Sequence, residues 1–431
     1  MLTDLGAQQL FQVGSDYRAR YLASDSSSRI QGISEFKYDP DQVYASAPDQ
    51  SILLNTATAF LQGLYPPLDN FKSQVAPEQL ANGSTITTPL TGYQYVTLHG
   101  INDDSPETIW IKGDDNCPAV TAASADFKTS AEYQSRLAST RDFYHNLYPL
   151  VSDIYSSASA LSYASAYDIF DVINVARIHN KSSPASSISD ADLFQLRTLA
   201  DSAEFGLNFN ASQPARSLHA STFAGSVLAH LNQTVAGSGS SPKFTLLAGS
   251  YDTFLAFFGL ANLTSLSDNF YGLPDYASTM AFEIFSHEDV LKAEDAHVRF
   301  LFRNGTEGTL TVFPLFGLGK EELSWGEFVK EMGSRGISSV EGWCDACGSD
   351  VGFCKVYGDG VAGVSAASGG EGSVDRGSWI AVVVVMAVAL AGNAIWAAMW
   401  VVRSRRERAE KQRAAMMPGK EAESVRSVES V

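Results

Sequence analysis

The residue best placed to do chemistry in this chain is Asp252. It follows a short apolar run, Phe244 to Ala248, then a Gly249-Ser250 turn and Tyr251, and it leads into the apolar stretch Thr253 to Leu260. A strand, a tight turn and a helix would hold this carboxyl at a helix N-terminus beyond the carboxyl end of a strand. That is a place a general acid can occupy in an open α/β sheet, and a plain N-cap is the equally weighted competing reading. A second group, His287-Glu288-Asp289 with Glu294, Asp295 and His297, has metal-ligand types but falls between two expected strands and reads as a solvated connector. His99, His145, His179, His219 and His230 are scattered without partners at fixed spacing and read as structural. The four cysteines, Cys117, Cys344, Cys347 and Cys354, are even in number. In an oxidising compartment that count predicts two disulfides in one of three connectivities. Zinc or redox chemistry at Cys344-x-x-Cys347 is less favoured, because no His accompanies the pair and no thioredoxin-like strand precedes it.

The elements around these residues follow from periodicity. Residues 3–22 have helical spacing, with Leu5, Leu10, Val13 and Tyr17 near one face. Residues 33–46 read as extended, and Ala47 to Gln50 as a turn. Asn55 to Leu64 is a predicted helix stopped by Pro66-Pro67. Tyr93 to Leu98 and Thr108 to Lys112 read as short strands among loops. Residues 126–237 are predicted mostly helical, with a Ser189-x-x-Asp192 cap in front of Leu193 and Leu196. Ala281 to Phe285 and His297 to Phe302 are predicted strands. Strands alternating with helices around one long helical block imply an α/β fold: an open, mostly parallel sheet with helices on both faces and an inserted helical cap. The expected divisions are 1–125 and 238–357 for the two parts of the core and 126–237 for the cap.

The carboxyl-terminal part has a different composition. Residues 358–378 are a Gly/Ser/Ala-rich stalk, residues 379–402 carry no charge, and residues 403–431 carry eight basic and five acidic side chains. The whole chain of 431 residues has a net charge of −18, so the first 378 carry −21. An acidic body excludes nucleic acid as the main partner. The uncharged run, about 36 Å long as a helix, is expected to be a single transmembrane helix. The basic cluster after it places the tail in the cytoplasm and residues 1–378 outside or in a lumen. Six glycosylation sequons, at Asn82, Asn180, Asn210, Asn232, Asn262 and Asn304, all precede the run and agree with that side. The first residues, MLTDLGAQQLFQVG, lack the basic and apolar regions of a signal peptide, and the expectation is that a longer precursor supplied one. No cofactor is expected, and oligomeric state is not legible.

Several segments in order resemble the histidine phosphatases of branch 2, the histidine acid phosphatases and phytases, and in texture the fungal membrane-anchored members. They are Leu2-Thr3-x-x-Gly6-x-x-Gln9 with Gly14-x-x-x-Arg18-x-Arg20-Tyr21, then Thr56 to Pro67, Leu247 to Thr253, Val298 to Leu301, and Leu323-Ser324-Trp325. The resemblance implies phosphomonoester hydrolysis through a phosphohistidine formed on an RHGxRxP loop, with arginines and a second His clamping the phosphoryl oxygens and an Asp protonating the leaving alcohol. It makes Asp252 the candidate proton donor and Tyr251, at the position of the clamping His, a weak candidate for phosphate binding. No RHGxRxP stands in these residues, and the expectation is that it preceded Met1. The second-strand segment Tyr44 to Gln50 has no cation, and Tyr251 replaces a His. The resemblance therefore implies a family member with little or no activity, and alternatively a non-catalytic surface module that keeps the fold.

Overall fold

The computed structural model describes residues 2–237, 239, 242–288, 290–358 and 382–388. Its centre is an eight-stranded sheet. In chain order the strands are β1 (Val43–Pro48), β2 (His99–Ile101), β3 (Phe244–Gly249), β4 (Thr279–Ser286), β5 (Ala296–Arg303), β6 (Thr311–Phe313), β7 (Leu323–Ser324) and β8 (Val382–Val388). The spatial order is β2-β1-β3-β8-β4-β5-β6, with β7 also paired to β5. Pairing is parallel for β1 with β2, β1 with β3 and β3 with β8, and antiparallel for the other four pairs. The sheet is thus parallel on one side only, which corrects the mostly parallel expectation. The short connector after β4 leaves no room for a crossover helix, so β5 returns antiparallel.

Alternation along the strands separates two cores. Phe244, Leu246 and Ala248 of β3 and Ala281 of β4 face a cluster built on α1 (Asp4–Tyr21) and α2 (Ser51–Leu64). Leu247, Met280, Phe282 and Ile284 face the opposite cluster, which continues into the helical block. Thr3 opens α1, its hydroxyl accepting the Gly6 N–H at 3.0 Å. The first two helices cross at a pair of glycines. A Cβ on Gly14 would lie 2.0 Å from the Phe60 carbonyl oxygen, and one on Gly63 would lie 2.1 Å from that of Phe11. Glu283, fully buried on this face, accepts from Arg20, Arg299 and the Tyr21 hydroxyl, the last at 2.6 Å.

The other face carries α3 (Pro118–Thr129), α4 (Ala131–Ser139), α5 (Ala166–His179), α6 (Asp190–Asn208), α7 (Leu218–Ala236), α8 (Tyr251–Leu260), α9 (Trp325–Arg335) and α10 (Val340–Cys347). Ser189 caps α6 as its spacing suggested, accepting the Asp192 N–H at 3.0 Å. The apolar cluster is continuous from helices α3 to α9 into the sheet, while α10 packs in a separate small cluster around the two disulfides; α7 packs directly on α8 and α9.

Several local expectations differ. Tyr93 to Leu98 is irregular, and the strand there is His99–Ile101; of the extended reading at 33–46 only Val43 onward is a strand. Of the expected turn at Ala47 to Gln50, Ala47 and Pro48 are the end of β1; Asp49 and Gln50 lead into α2, which begins at Ser51. Thr108 to Lys112 is not a strand. Ser105 caps a short 3-10 helix, Pro106–Trp110, and Lys112 lies in the loop beyond it. Proline and a capping serine override the β-branched residues there. The predicted transmembrane helix at 379–402 differs where it is described: 382–388 are a strand, paired to both β3 and β4. A run of valines suits this position, because β-branched residues favour strands and both edges satisfy its backbone groups. Among the described residues no helix is long and apolar enough to cross a membrane. The stalk beyond residue 358, the rest of 379–402 and the tail at 403–431 lie outside the described residues.

Candidate functional site

At the carboxyl end of β3 the chain turns at Ser250 into α8, and Asp252 stands in the first turn of that helix, as its sequence position implied. Its Oδ1 accepts the Thr253 N–H at 3.1 Å and the Ser250 hydroxyl. Its Oδ2 faces the Lys112 ammonium at 3.7 Å, and Lys112 also donates to Ser250 Oγ at 3.3 Å. The side chains of Lys112 and Asp252 are only 12% and 19% exposed, so the pair is poorly screened. From α7, the His219 ring reaches the Asp252 carbonyl oxygen with Nε2 at 3.2 Å. A carbonyl only accepts, so Nε2 carries the hydrogen, and the buried Nδ1 has no hydrogen-bond partner among the described residues.

The loop that brings Lys112 here is held from three sides. Thr253 Oγ1 donates to the Ile111 carbonyl at 3.2 Å, and the Trp343 indole N–H donates to that of Gly113 at 2.8 Å. The disulfide Cys117–Cys347 ties the loop's end to α10. Gly113 is needed because a Cβ would lie 2.3 Å from Thr222 Oγ1 and 2.8 Å from the Ile109 carbonyl oxygen. One residue further, Asp114 has a buried Oδ1 without a hydrogen-bond partner among the described residues.

The charges are unequally divided. Burial opposes ionisation of Asp252, yet Lys112, His219 and the two hydrogen bonds outweigh it and hold the carboxyl below the usual aspartate range. The Asp252 carboxylate in turn holds the Lys112 ammonium well above the usual lysine value, against its burial. Asp114 goes the other way: burial, then the neighbouring Asp252 charge, push its carboxyl up to about 6. Burial and Asp252 also raise Asp115, against the pull of Lys112.

Tyr251 points away from this cluster. Its hydroxyl donates to Glu204 Oε2 at 3.0 Å, and its ring lies 4.8 Å from that of Tyr167. These three residues line a cavity of about 170 Å³. Burial raises the Tyr251 hydroxyl far above the ordinary phenol range and pushes Glu204 up to about 7. The candidate phosphate donor of the sequence is thus spent on a carboxylate of α6. Larger cavities, about 830 and 650 Å³, lie along the helical block and include neither Asp252 nor Lys112.

On the neighbouring parallel strand, Ser46 is the register partner of Leu247, which sets Asp49 beside Ser250 by extension. Asp49 ties its N–H to the Ile101 carbonyl at 2.8 Å, and Gln50 sits at the N-cap position of α2 without a side-chain cap bond; neither residue supplies a cation at the end of β1. The disulfides are Cys117–Cys347 and Cys344–Cys354. The two halves of the C-x-x-C pair therefore serve different bridges, which removes its zinc and redox readings. Asn82, Asn180, Asn232, Asn262 and Asn304 are exposed, and Asn210 is half-buried. His287 and His297 pack ring to ring at 5.3 Å beside Phe285, while Asp289 lies outside the described residues.

Sequence reasoning missed Lys112, Asp114 and Glu204, and read His219 as structural. The available signal was the polar Lys112-Gly113-Asp114-Asp115-Asn116 run directly before a cysteine, since a bridged cysteine fixes such a loop against the core.

Comparison with known proteins bears on the family and the fold. The sequence profile of the histidine phosphatase superfamily, branch 2, matches residues 1–303. A lysosomal acid phosphatase of Xenopus laevis is 25% identical over 317 residues; the match spans 73% of this chain and 63% of that protein's length. Among solved structures, the phytase of Citrobacter braakii superposes with a TM-score of 0.50 at 12% identity, covering 78% of this chain and 88% of its own. The apo phytase of Hafnia alvei gives 0.48 at 13% identity, covering 80% and 88%. The fold agrees with the first of these, and the profile spans most of the chain, both parallel strand ends included. This chain belongs to the histidine phosphatase superfamily, branch 2.

Proposed function

We propose that this chain is a membrane-anchored, glycosylated member of the family, of the fungal type, that binds phosphomonoesters at the ends of β1 and β3 and turns them over poorly. The observation that carries the reading is the hydrogen bond from Tyr251 to Glu204. The side chain at the clamp position is satisfied inside the protein, and the end of β1 offers no cation to replace it. Loss of one such electrostatic contact typically costs about 2.7–4 kcal/mol of transition-state stabilisation, a factor of about 10² to 10³. A ligand-holding role without turnover is the second reading, favoured by the same two positions.

Release of p-nitrophenol from p-nitrophenyl phosphate at pH 5 by the full chain tests this, with an active branch-2 acid phosphatase as standard. The expected rate is at least a hundredfold below the standard. A rate within tenfold of it would overturn the reading.

Anchoring rests on the uncharged run at 379–402, the basic residues after it and the six sequons before it. Residues 382–388 form β8 in the sheet, and a spanning helix requires their withdrawal from it. The two placements are alternatives. Alkaline carbonate extraction of membranes, with endoglycosidase treatment, separates them: an anchored chain stays in the pellet and shifts in mobility, and a released, unshifted chain contradicts anchoring.

A further inference from the structure

The cavity of about 830 Å³ in the helical block is separate from Asp252 and Lys112, and a glycosylation sequon forms part of its wall. The sequon is Asn210-Ala211-Ser212, and Asn210 stands two residues past the end of α6. Of the six sequon asparagines five are exposed, and Asn210 is half-buried. We propose that an N-linked glycan on Asn210 is seated in this cavity, its first sugars lying against the rings of Phe205 and Tyr271 as a fixed part of the fold. This rests on the reading of the chain as glycosylated and names where one glycan lies.

The Asn210 amide is available. Its Oδ1 accepts the Ser212 N–H at 2.8 Å, and Nδ2 has no acceptor among the described residues. Attachment joins Nδ2 to the anomeric carbon of a lipid-diphosphate-linked oligosaccharide. The nitrogen gives up one proton, and the lipid diphosphate leaves with the electrons of the broken C–O bond. One N–H and the Oδ1 acceptor remain, so the turn to Ser212 is kept. Asn304, the other sequon residue on this cavity, is engaged at both side-chain atoms. Its Oδ1 accepts from the Asp275 N–H at 2.8 Å and the Ser278 hydroxyl at 3.1 Å, and its Nδ2 donates to Asp275 Oδ2 at 3.4 Å. The walls also suit a sugar. The Phe205 ring lies 4.9 Å from that of Tyr271 and 5.8 Å from that of Phe209. Phe209 is fixed against Gly259 of α8, where a Cβ would lie 2.2 Å from its Cγ. Tyr271 is 47% exposed, an aromatic face left to water at the cavity. A pyranose has an apolar C–H face and a rim of hydroxyls. The face takes ring surface out of water, and the rim meets Asn269, whose side-chain amide makes no hydrogen bond among the described residues. The volume falls within the range of about 300–1,000 Å³ that holds small ligands, room for the first sugars of a chain whose remainder runs out to solvent.

The test uses the full chain from a glycosylating eukaryotic host, purified in detergent. Timed digestion of the folded chain with an endoglycosidase that cuts between the first two sugars, read by glycopeptide mass spectrometry, gives occupancy and release rate at each sequon. Asn210 is expected to be occupied and released about tenfold more slowly than the exposed sites, the factor that one good ring contact gives. After denaturation the rates should be equal. Tyr271 is exposed, so Tyr271→Ala leaves the core intact, and it should bring the Asn210 rate to within about threefold of the other sites. Release from folded Asn210 as fast as from the other sites would overturn the seat. So would slow release unchanged in Tyr271→Ala, which would assign the protection to burial of the amide itself. A bare Asn210 beside occupied sequons would overturn the inference and leave the glycosylated reading standing. No occupied sequon would overturn both.

Discussion

Replacing Lys112 with methionine, which keeps the length of the stem and removes the charge, isolates the contact on which the site's electrostatics depend. At 3.7 Å, with an effective dielectric constant of about 20, the attraction between Lys112 and Asp252 is about 4 kcal/mol before desolvation is counted. The buried carboxylate of Lys112→Met keeps its hydrogen bonds from Ser250 and Thr253 but loses its counter-charge. The expected net loss at pH 7 is therefore about 3 kcal/mol, the low end for breaking a buried pair. The sign of the pH dependence follows. In the unaltered chain the folded carboxyl of Asp252 lies below its unfolded value, so its contribution is present above about pH 4 and is lost as pH falls through the folded value. Without Lys112, burial, the strongest influence on Asp252, is no longer outweighed, and the folded value rises. The variant can then relieve its strain by protonation, and the stability gap should shrink on acidification. Urea unfolding of the two full chains at pH 7 and pH 4.5 measures this. A gap of about 3 kcal/mol narrowing to about 1 is the expected result. A gap below 0.5 kcal/mol at pH 7, or one independent of pH, would refute the reasoning.

Other perturbations test the frame that holds the site. Gly14→Ala drives a methyl to 2.0 Å from a backbone carbonyl oxygen of α2 and should cost about 3 kcal/mol or more, visible as a lowered thermal midpoint. Cys117→Ser with Cys347→Ser opens a link between residues 230 apart in sequence; chain entropy sets its contribution at up to about 5 kcal/mol. The same change frees the loop of Lys112, so the urea midpoint should fall with it. Glu283→Leu leaves Arg20 and Arg299 facing each other without their shared carboxylate and should destabilise by about 3–5 kcal/mol.

The legible parts of this protein were the local ones. The α1 helix, the cap at Ser189, strand β3 and the position of Asp252 follow from periodicity and capping, because those signals act within a few residues. The two pairs of disulfide partners were not legible, since four cysteines permit three pairings and the partner of Cys117 lies 230 residues away. Lys112 was hidden for a similar reason. A lone lysine in a polar loop has no local pattern, and its role comes from a contact with a residue 140 positions later. The direction of Tyr251 is set by Glu204, an acid on a helix of the inserted block that sequence spacing cannot bring near it. Residues 382–388 show the reverse limit. A valine-rich run satisfies both a bilayer and a central strand, and only the free edges of β3 and β4 in this structure favour the strand.

The central proposal is that the site at the end of β3 holds its acid as a bound carboxylate and so turns phosphomonoesters over poorly. Steady-state cleavage of p-nitrophenyl phosphate at pH 5, compared between the full chain and Asp252→Asn, addresses it most directly. The account predicts rates equal within about threefold. A drop of a hundredfold or more in Asp252→Asn would contradict it, because it would make Asp252 a working proton donor despite its lysine.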